Sequence, residues 1–167
     1  MLDSAPTLER VRGFLREKGI EFREVHHEPT RTSEESAEAR GEELRVGGKA
    51  LLVKVDDIFA VFVLSAARKF DSGAVRRLLG ARRSRFATPD ELLDMTGLVP
   101  GSLPPFGTPL FSFKLYIDES IAENERIAFN AGSLTDSIIM STQDYLRAAG
   151  GTLARFSKSE NDSGGTP

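Results

Sequence analysis

Near the N-terminus, apolar residues recur at helical spacing. In "TLERVRGFLREKG", Leu8, Val11, Phe14 and Leu15 share one face, and Gly19 follows as a stop. "IEFREVHH" then alternates Ile20, Phe22 and Val25, which predicts a strand. "TSEESAEARG" opens on Thr32 with Glu35 three residues later, a capping-box pattern, and closes on Gly41. Residues 49–55 and 58–65 are two apolar strands joined by Asp56 and Asp57, a hairpin by length. "DSGAVRRLLG" predicts a helix capped by Asp71 or Ser72. "TPDELLDMTG" carries the clearest start signal, with Thr88 as cap, Pro89 at the first helical position and Glu91 closing the box.

The pattern breaks at "GLVPGSLPPFG", residues 97–107, where three glycines and three prolines exclude a helix or central strand. Beyond it, "LFSFKLYID", "ERIAFNAG" and "DSIIMS" read as strands, and "STQDYLRAAGG" as a capped final helix. Hairpins mixed with scattered helices, without regular βαβ units, predict an α+β fold. Its sheet is expected to be mixed but largely antiparallel, or a partial barrel. Residues 1–156 are expected to form a single domain. The tail at 157–167, "SKSENDSGGTP", has little to bury and is expected to be disordered.

Composition narrows the chemistry. At 167 residues, one core suffices without metal or disulfide staples. The absence of cysteine excludes thiol catalysis, zinc-thiolate sites and disulfide frameworks. The two histidines, His26 and His27, are adjacent on a predicted strand, so they face opposite ways and cannot chelate one metal together. The N-terminus lacks a signal-peptide pattern, and no apolar run approaches the ~18 residues of a membrane helix, so a cytoplasmic protein is expected.

The net charge of -3 argues against a strong non-specific nucleic-acid binder, but the charges are unevenly spread. From Arg68 to Arg85 there are seven cations and one anion, Asp71. Arg76, Arg77, Arg82 and Arg83 form the centre of this run. It is either a solvated helix face or a local surface for an anionic partner.

Two features could carry chemistry. Lys49 opens an apolar strand directly after Gly47 and Gly48. A lysine there either snorkels to the rim or anchors a phosphate and steadies developing negative charge. Glycines before it allow another backbone or a ligand to come close. The glycine-proline loop is the second feature: its stiffened backbone could bind a small polar group, or serve only as a crossover packed by Phe106 and Leu103. Asn130 in "FNAG" could bond a ligand or cap a turn. No serine triad, P-loop, dinucleotide fingerprint or Asp-rich metal loop is visible. These residues mark a site without naming its reaction.

Lys49 after two glycines, the later "GSLPPFG", and "FNAG" followed by "DSIIMSTQDYLR" together resemble the YbaK/ProX family. These are freestanding aminoacyl-tRNA deacylases related to the editing domain inserted in bacterial prolyl-tRNA synthetases. The resemblance spans residues 7–154, and the family's loop pattern is met by Gly101, Pro105 and Gly107. It implies hydrolysis of the ester joining a wrong amino acid to the terminal adenosine of tRNA, with no cofactor and no metal. Lys49 and Gly101 would be catalytic. Gly101, Ser102, Pro105, Phe106, Gly107, Asn130 and Gly132 would form the substrate site, and Arg76, Arg77, Arg82 and Arg83 would hold tRNA. The partner would be the acceptor end of an aminoacyl-tRNA, delivered alone or through a synthetase or elongation factor, and no membrane. In the family's proposed mechanism the substrate's ribose hydroxyl helps activate water while loop backbone groups orient it. Lys49 would then act by electrostatics, an exposed lysine being protonated at neutral pH. Several family members carry threonine or asparagine after the lysine where this chain has Ala50, which leaves alanine, serine, threonine, cysteine or a small non-protein amino acid as substrates. Two competing readings are a non-catalytic module binding tRNA ends or a synthetase, and a hydrolase of small nucleotide-linked esters.

Overall fold

Local signals position most of the helices in the computed structural model, which describes residues 5–160. Helix α1 (Ala5–Glu17) turns Val11 and Leu15 fully inward. Strand β1 (Phe22–His26) follows, then α2 (Ser33–Arg40), where the Thr32 hydroxyl accepts from the Glu35 N–H and Gly41 closes the helix at φ 72°. The Glu35 carboxylate reaches the Arg31 N–H at 2.8 Å, one residue before the cap.

Strands β2 (Gly48–Val55) and β3 (Ile58–Ser65) form the expected antiparallel hairpin, in register from Gly48 against Ser65 to Val55 against Ile58. At the turn, Asp56 sits at φ 52° and its carboxylate accepts from the Arg82 and Arg83 N–H groups at 3.0 Å each. The next elements are β4 (Arg68–Phe70), α3 (Ser72–Leu79) capped by Asp71, β5 (Ser84–Phe86) and α4 (Pro89–Thr96). Helix α4 has the complete capping box between Thr88 and Glu91. After the irregular 97–107 segment come β6 (Leu115–Asp118), α5 (Glu119–Ala122), β7 (Arg126–Asn130), β8 (Asp136–Ser141) and α6 (Thr142–Ala149), with Ser141 as cap. Strands β9 (Thr152–Ala154) and β10 (Ser157–Ser159) complete the described chain.

The fold is α+β with mixed, mainly antiparallel sheets flanked by helices. Five strands run in the order β5-β2-β3-β6-β9, with β6 parallel to both neighbours. Three more run β1-β8-β7, and β4 pairs β10. A parallel bridge from Gly47 to Ala128 joins the two larger sheets. Both faces of β3 are buried: Val61 and Val63 enter the main core, while Ala60, Phe62 and Leu64 enter a second core with Val75 and Phe156. Its nearly unbroken apolar run is the consequence. Among the described residues, no helix is long and apolar enough to cross a membrane.

Two expectations are corrected. Only Leu115–Asp118 of "LFSFKLYID" is a strand, because the Phe111 N–H bonds back to Gly107 and the Phe113 N–H to Phe111, curling the first half into turns. The tail does not begin at Ser157. Ser157–Ser159 pairs with β4, and the buried Asp118 carboxylate accepts from the Phe156 N–H at 2.6 Å and the Ser157 hydroxyl at 2.7 Å. A buried carboxylate requires such donors, and they tie the chain down. Residues 161–167 of the expected tail lie outside the described residues.

Candidate active site

The start of β2 explains its two glycines. A Cβ on Gly48 would lie 2.6 Å from Ile127 Cδ1, and one on Gly47 would lie 3.1 Å from Ala66 Cβ and 3.4 Å from Arg40 Nη1. Both glycines therefore admit close packing by other parts of the protein. Lys49 follows on the face shared by Leu51, Val53 and Val55, at the open end of that face. Its neighbour Ala50 packs against the main core.

Lys49 is half-buried, and burial lowers its pKa from the ordinary amine value, while the charges of Glu160 and Glu34 oppose the shift. It is thus less exposed than the sequence alone implies. It lines a cleft of about 440 Å³ together with Gly101, Asn130, Leu134 and residues of the α2 region such as Thr30 and Arg40. That volume lies within the range of about 300–1,000 Å³ usual for small-ligand sites. Ala50 also lines the cleft.

The face of α2 toward the cleft bears Ser33, Ser36 and Arg40, spaced three and four residues apart. Thr30 and Ser36 are buried and their hydroxyls bond at 2.8 Å. Arg40 is 8% exposed, and burial lowers its pKa to about 10. Its Nε donates to Ser137 Oγ at 2.9 Å and its Nη2 to Asn130 Oδ1 at 3.0 Å. Asn130 Nδ2 in turn donates to the Gly101 carbonyl at 2.8 Å. His27 joins through Nε2, 2.9 Å from Ser137 Oγ, while its Nδ1 lies 2.8 Å from the Glu28 carbonyl. A carbonyl only accepts, so Nδ1 carries the proton in the neutral ring and Nε2 accepts from Ser137.

Of the residues singled out in the sequence, Lys49, Gly101 and Asn130 meet on the cleft wall. Ser102, Pro105, Phe106, Gly107 and Gly132 are buried and do not line it. The Ser102 hydroxyl donates to the Val99 carbonyl at 2.7 Å, and the Ser102 carbonyl accepts from the Gly132 N–H at 2.9 Å. Phe106 meets Phe14, Phe129 and Tyr145 edge-on, with ring centroids 5.5–5.7 Å apart. The wholly buried Tyr145 hydroxyl donates to the Pro105 carbonyl at 2.7 Å. Phe106 is therefore the loop's core anchor and not part of the cleft wall.

Arg76, Arg77, Arg82 and Arg83 stand apart, on α3 and the segment leading to β5. Strand β5 pairs with Val53–Val55, at the other end of β2 from Lys49. At ~3.3 Å per residue, that places the β5 pairing about 13–20 Å along the strand from Lys49, and the Arg82 and Arg83 N–H groups bond Asp56 just beyond it. Arg76 is half-buried, with Nη1 3.3 Å from Ser84 Oγ, whereas Arg77, Arg82 and Arg83 are exposed. His26 is exposed and pairs with Asp136 at 2.8 Å. Among the described residues, no three His, Asp or Glu side chains gather as a metal site.

In the sequence, the only local signal of Ser36 and Arg40 is the polar stripe at 33, 36 and 40, which an exposed helix would carry equally well, and Thr30 lies outside that stripe.

Residues 27–148 match the aminoacyl-tRNA editing domain family. The chain is 35% identical over 161 residues to the multifunctional Ser/Thr-tRNA deacylase ProXp-y of Escherichia coli strain K12, covering 93% of this chain and 96% of that protein. It is also 35% identical over 101 residues to the proline–tRNA ligase of Shouchella clausii, covering 60% of this chain and 18% of the ligase. A solved structure described as a candidate trans-editing enzyme for prolyl tRNA synthetase superposes with a TM-score of 0.81 at 27% identity, covering 93% of this chain and 99% of the other.

Proposed function

This chain belongs to the aminoacyl-tRNA editing domain family, of the YbaK/ProX type, and from that premise we propose that it acts in trans as an aminoacyl-tRNA deacylase, hydrolysing the ester of tRNA mischarged with serine or threonine. The observation that carries the reading is the meeting of Lys49, the Gly101 loop and Asn130 around one cleft of suitable size. The choice of hydroxyl amino acids rests on the similarity to a Ser/Thr-tRNA deacylase and on the polar side of the cleft, where Thr30, Ser33 and Ser36 offer hydroxyl groups.

In the reaction, water adds to the ester carbonyl and the carbon–oxygen bond to the ribose breaks. The ribose oxygen takes a proton, and the amino acid leaves as the free acid. An aminoacyl ester is already activated, so positioning and stabilisation of the oxyanion account for most of the catalysis. Lys49 supplies positive charge to the phosphate or the reacting ester. The partly desolvated position strengthens that charge relative to one in water. The exposed Gly101 backbone borders the ester, and the buried Pro105–Gly107 segment fixes the loop from beneath. Arg77, Arg82 and Arg83, with Arg76 behind them, contact the tRNA further from its end. The charged tRNA arrives alone or through a synthetase or elongation factor.

The test is deacylation of tRNAs charged with alanine, serine, threonine, cysteine and proline, by the wild type and by Lys49→Ala. Serine and threonine are expected to be released, with turnover falling roughly 10²–10³-fold in the variant, the range for loss of an oxyanion-stabilising group. Binding of tRNA without turnover of any charged species would favour the non-catalytic module instead.

A further inference from the structure

We propose that Arg40 is a positioning residue for this reaction, locking the Asn130 amide in the one orientation that holds the Gly101 carbonyl at the cleft wall. The proposal rests on the deacylase reading and adds to it a residue outside the loop and the lysine.

An asparagine amide has two ends of nearly equal size and opposite hydrogen-bonding character. Which end faces Gly101 therefore depends on its other contacts. Here Asn130 Oδ1 receives Arg40 Nη2 at 3.0 Å and lies 3.2 Å from Ser137 Oγ. A guanidinium can only donate, so the NH₂ end cannot occupy that place. Asn130 must turn Nδ2 toward the Gly101 carbonyl, the 2.8 Å contact observed. Ser137 is held as well, because Arg40 Nε fills one of its acceptor sites at 2.9 Å. One planar fork thus orients two side chains together, which a lysine could not reproduce.

Stability alone does not account for this arginine. A buried cation carries a large desolvation cost, and an apolar side chain of similar volume is often as stabilising. Glu42, the acid whose charge acts on it, is engaged elsewhere, pairing with Arg126 at 2.9 Å and with Arg23 at 3.4 Å. Arg40 donates instead to two neutral acceptors, one of which leads directly to the loop.

Three variants test the assignment: Arg40→Met, Arg40→Lys and Asn130→Ala, with the Arg40→Met/Asn130→Ala double variant. Thermal melts first establish that each is folded. With seryl- or threonyl-tRNA, Arg40→Met is expected to lower kcat by about tenfold to a hundredfold at nearly unchanged KM, the scale of a small misplacement at a reacting centre. Arg40→Lys should not restore it. The double variant should be no slower than the slower single one, because both act through one contact. Unchanged kcat in folded Arg40→Met, a raised KM alone, or losses that multiply would overturn the proposal.

A second readout is independent of turnover. The Asn130 side-chain NH₂ should exchange slowly with solvent in the wild type and distinctly faster in Arg40→Met, as followed by NMR. If the wild type deacylates nothing, the functional reading fails, and this exchange still decides whether Arg40 locks the amide. Equal exchange rates would reject it.

Discussion

Gly101 and Gly107 satisfy one loop pattern for different physical reasons. Gly101 is exposed, has φ 88°, and an added Cβ would meet only Leu134 at an ordinary 3.4 Å. Its constraint is conformational, so Gly101→Ala should cost about 1–2 kcal/mol, the penalty of a left-handed backbone for an L-residue. Gly107 is buried, and a Cβ there would overlap the Phe113 carbonyl oxygen, a backbone atom with no rotamer in which to escape. Gly107→Ala should therefore cost more, at or beyond the roughly 1–3 kcal/mol of core overpacking. Urea denaturation of the two variants checks the order, and equal destabilisation would refute the distinction. In the sequence these glycines are indistinguishable, since a left-handed φ and a close carbonyl both read as Gly. Lys49 and Asn130 were legible because a charged residue opening a buried strand, and an amide ending one, conflict with their surroundings. Arg40 was not legible, because a cation in the last turn of a polar helix has a sufficient local explanation in the helix dipole.

Helices α2, α3, α4 and α6 could be placed from their caps, at Thr32, Asp71, Thr88 and Ser141, because a cap is a contact among residues two or three apart. The three-residue strands β4, β5, β9 and β10 could not be, since each is defined by a partner remote in sequence and carries too few residues for a period. The best capped of these helices also yields a pH prediction. In α4, the Glu91 carboxylate accepts from the Thr88 N–H and binds Arg85 through both oxygens, at 2.8 and 3.0 Å. These contacts, the Arg85 hydrogen bond foremost, lower its pKa from 4.5 to about 2. A carboxylate with a depressed folded-state pKa contributes stability in full above its unfolded value and loses it as pH falls through the folded one. Glu91 should therefore contribute above about pH 4.5 and progressively less down to about pH 2. Glu91→Gln should lower the melting temperature at pH 6 and flatten its fall between pH 5 and 2. Parallel melting curves for the two proteins across that interval would show that Glu91 is not linked to stability.

Across the whole molecule, the basic face and the cleft belong to opposite ends of one strand. Strand β2 begins at the cleft with Gly48 and Lys49, and its far end, Val53–Val55, pairs with β5 beside α3. The separation of about 13–20 Å spans several residues of extended strand. It also suits a polyanion whose reacting end enters the cleft while its body runs along the sheet edge, whereas a single nucleotide-linked ester offers few further phosphates to that face. That contrast separates a tRNA substrate from a small ester. Replacing Arg76, Arg77, Arg82 and Arg83 with Glu should raise KM for charged tRNA at least tenfold at low salt and leave kcat nearly intact, since none of the four lines the cleft. Each phosphate contact contributes about 0.7–0.9 to the slope of log affinity against log salt. With three of the four exposed, the slope should fall by roughly 2–3. Hydrolysis of a short aminoacylated oligonucleotide ending in the same adenosine should be unaffected, because it never reaches α3. Equal loss on both substrates would mean that the arginines support the fold or the cleft. Unchanged KM on both would move the tRNA body to another face.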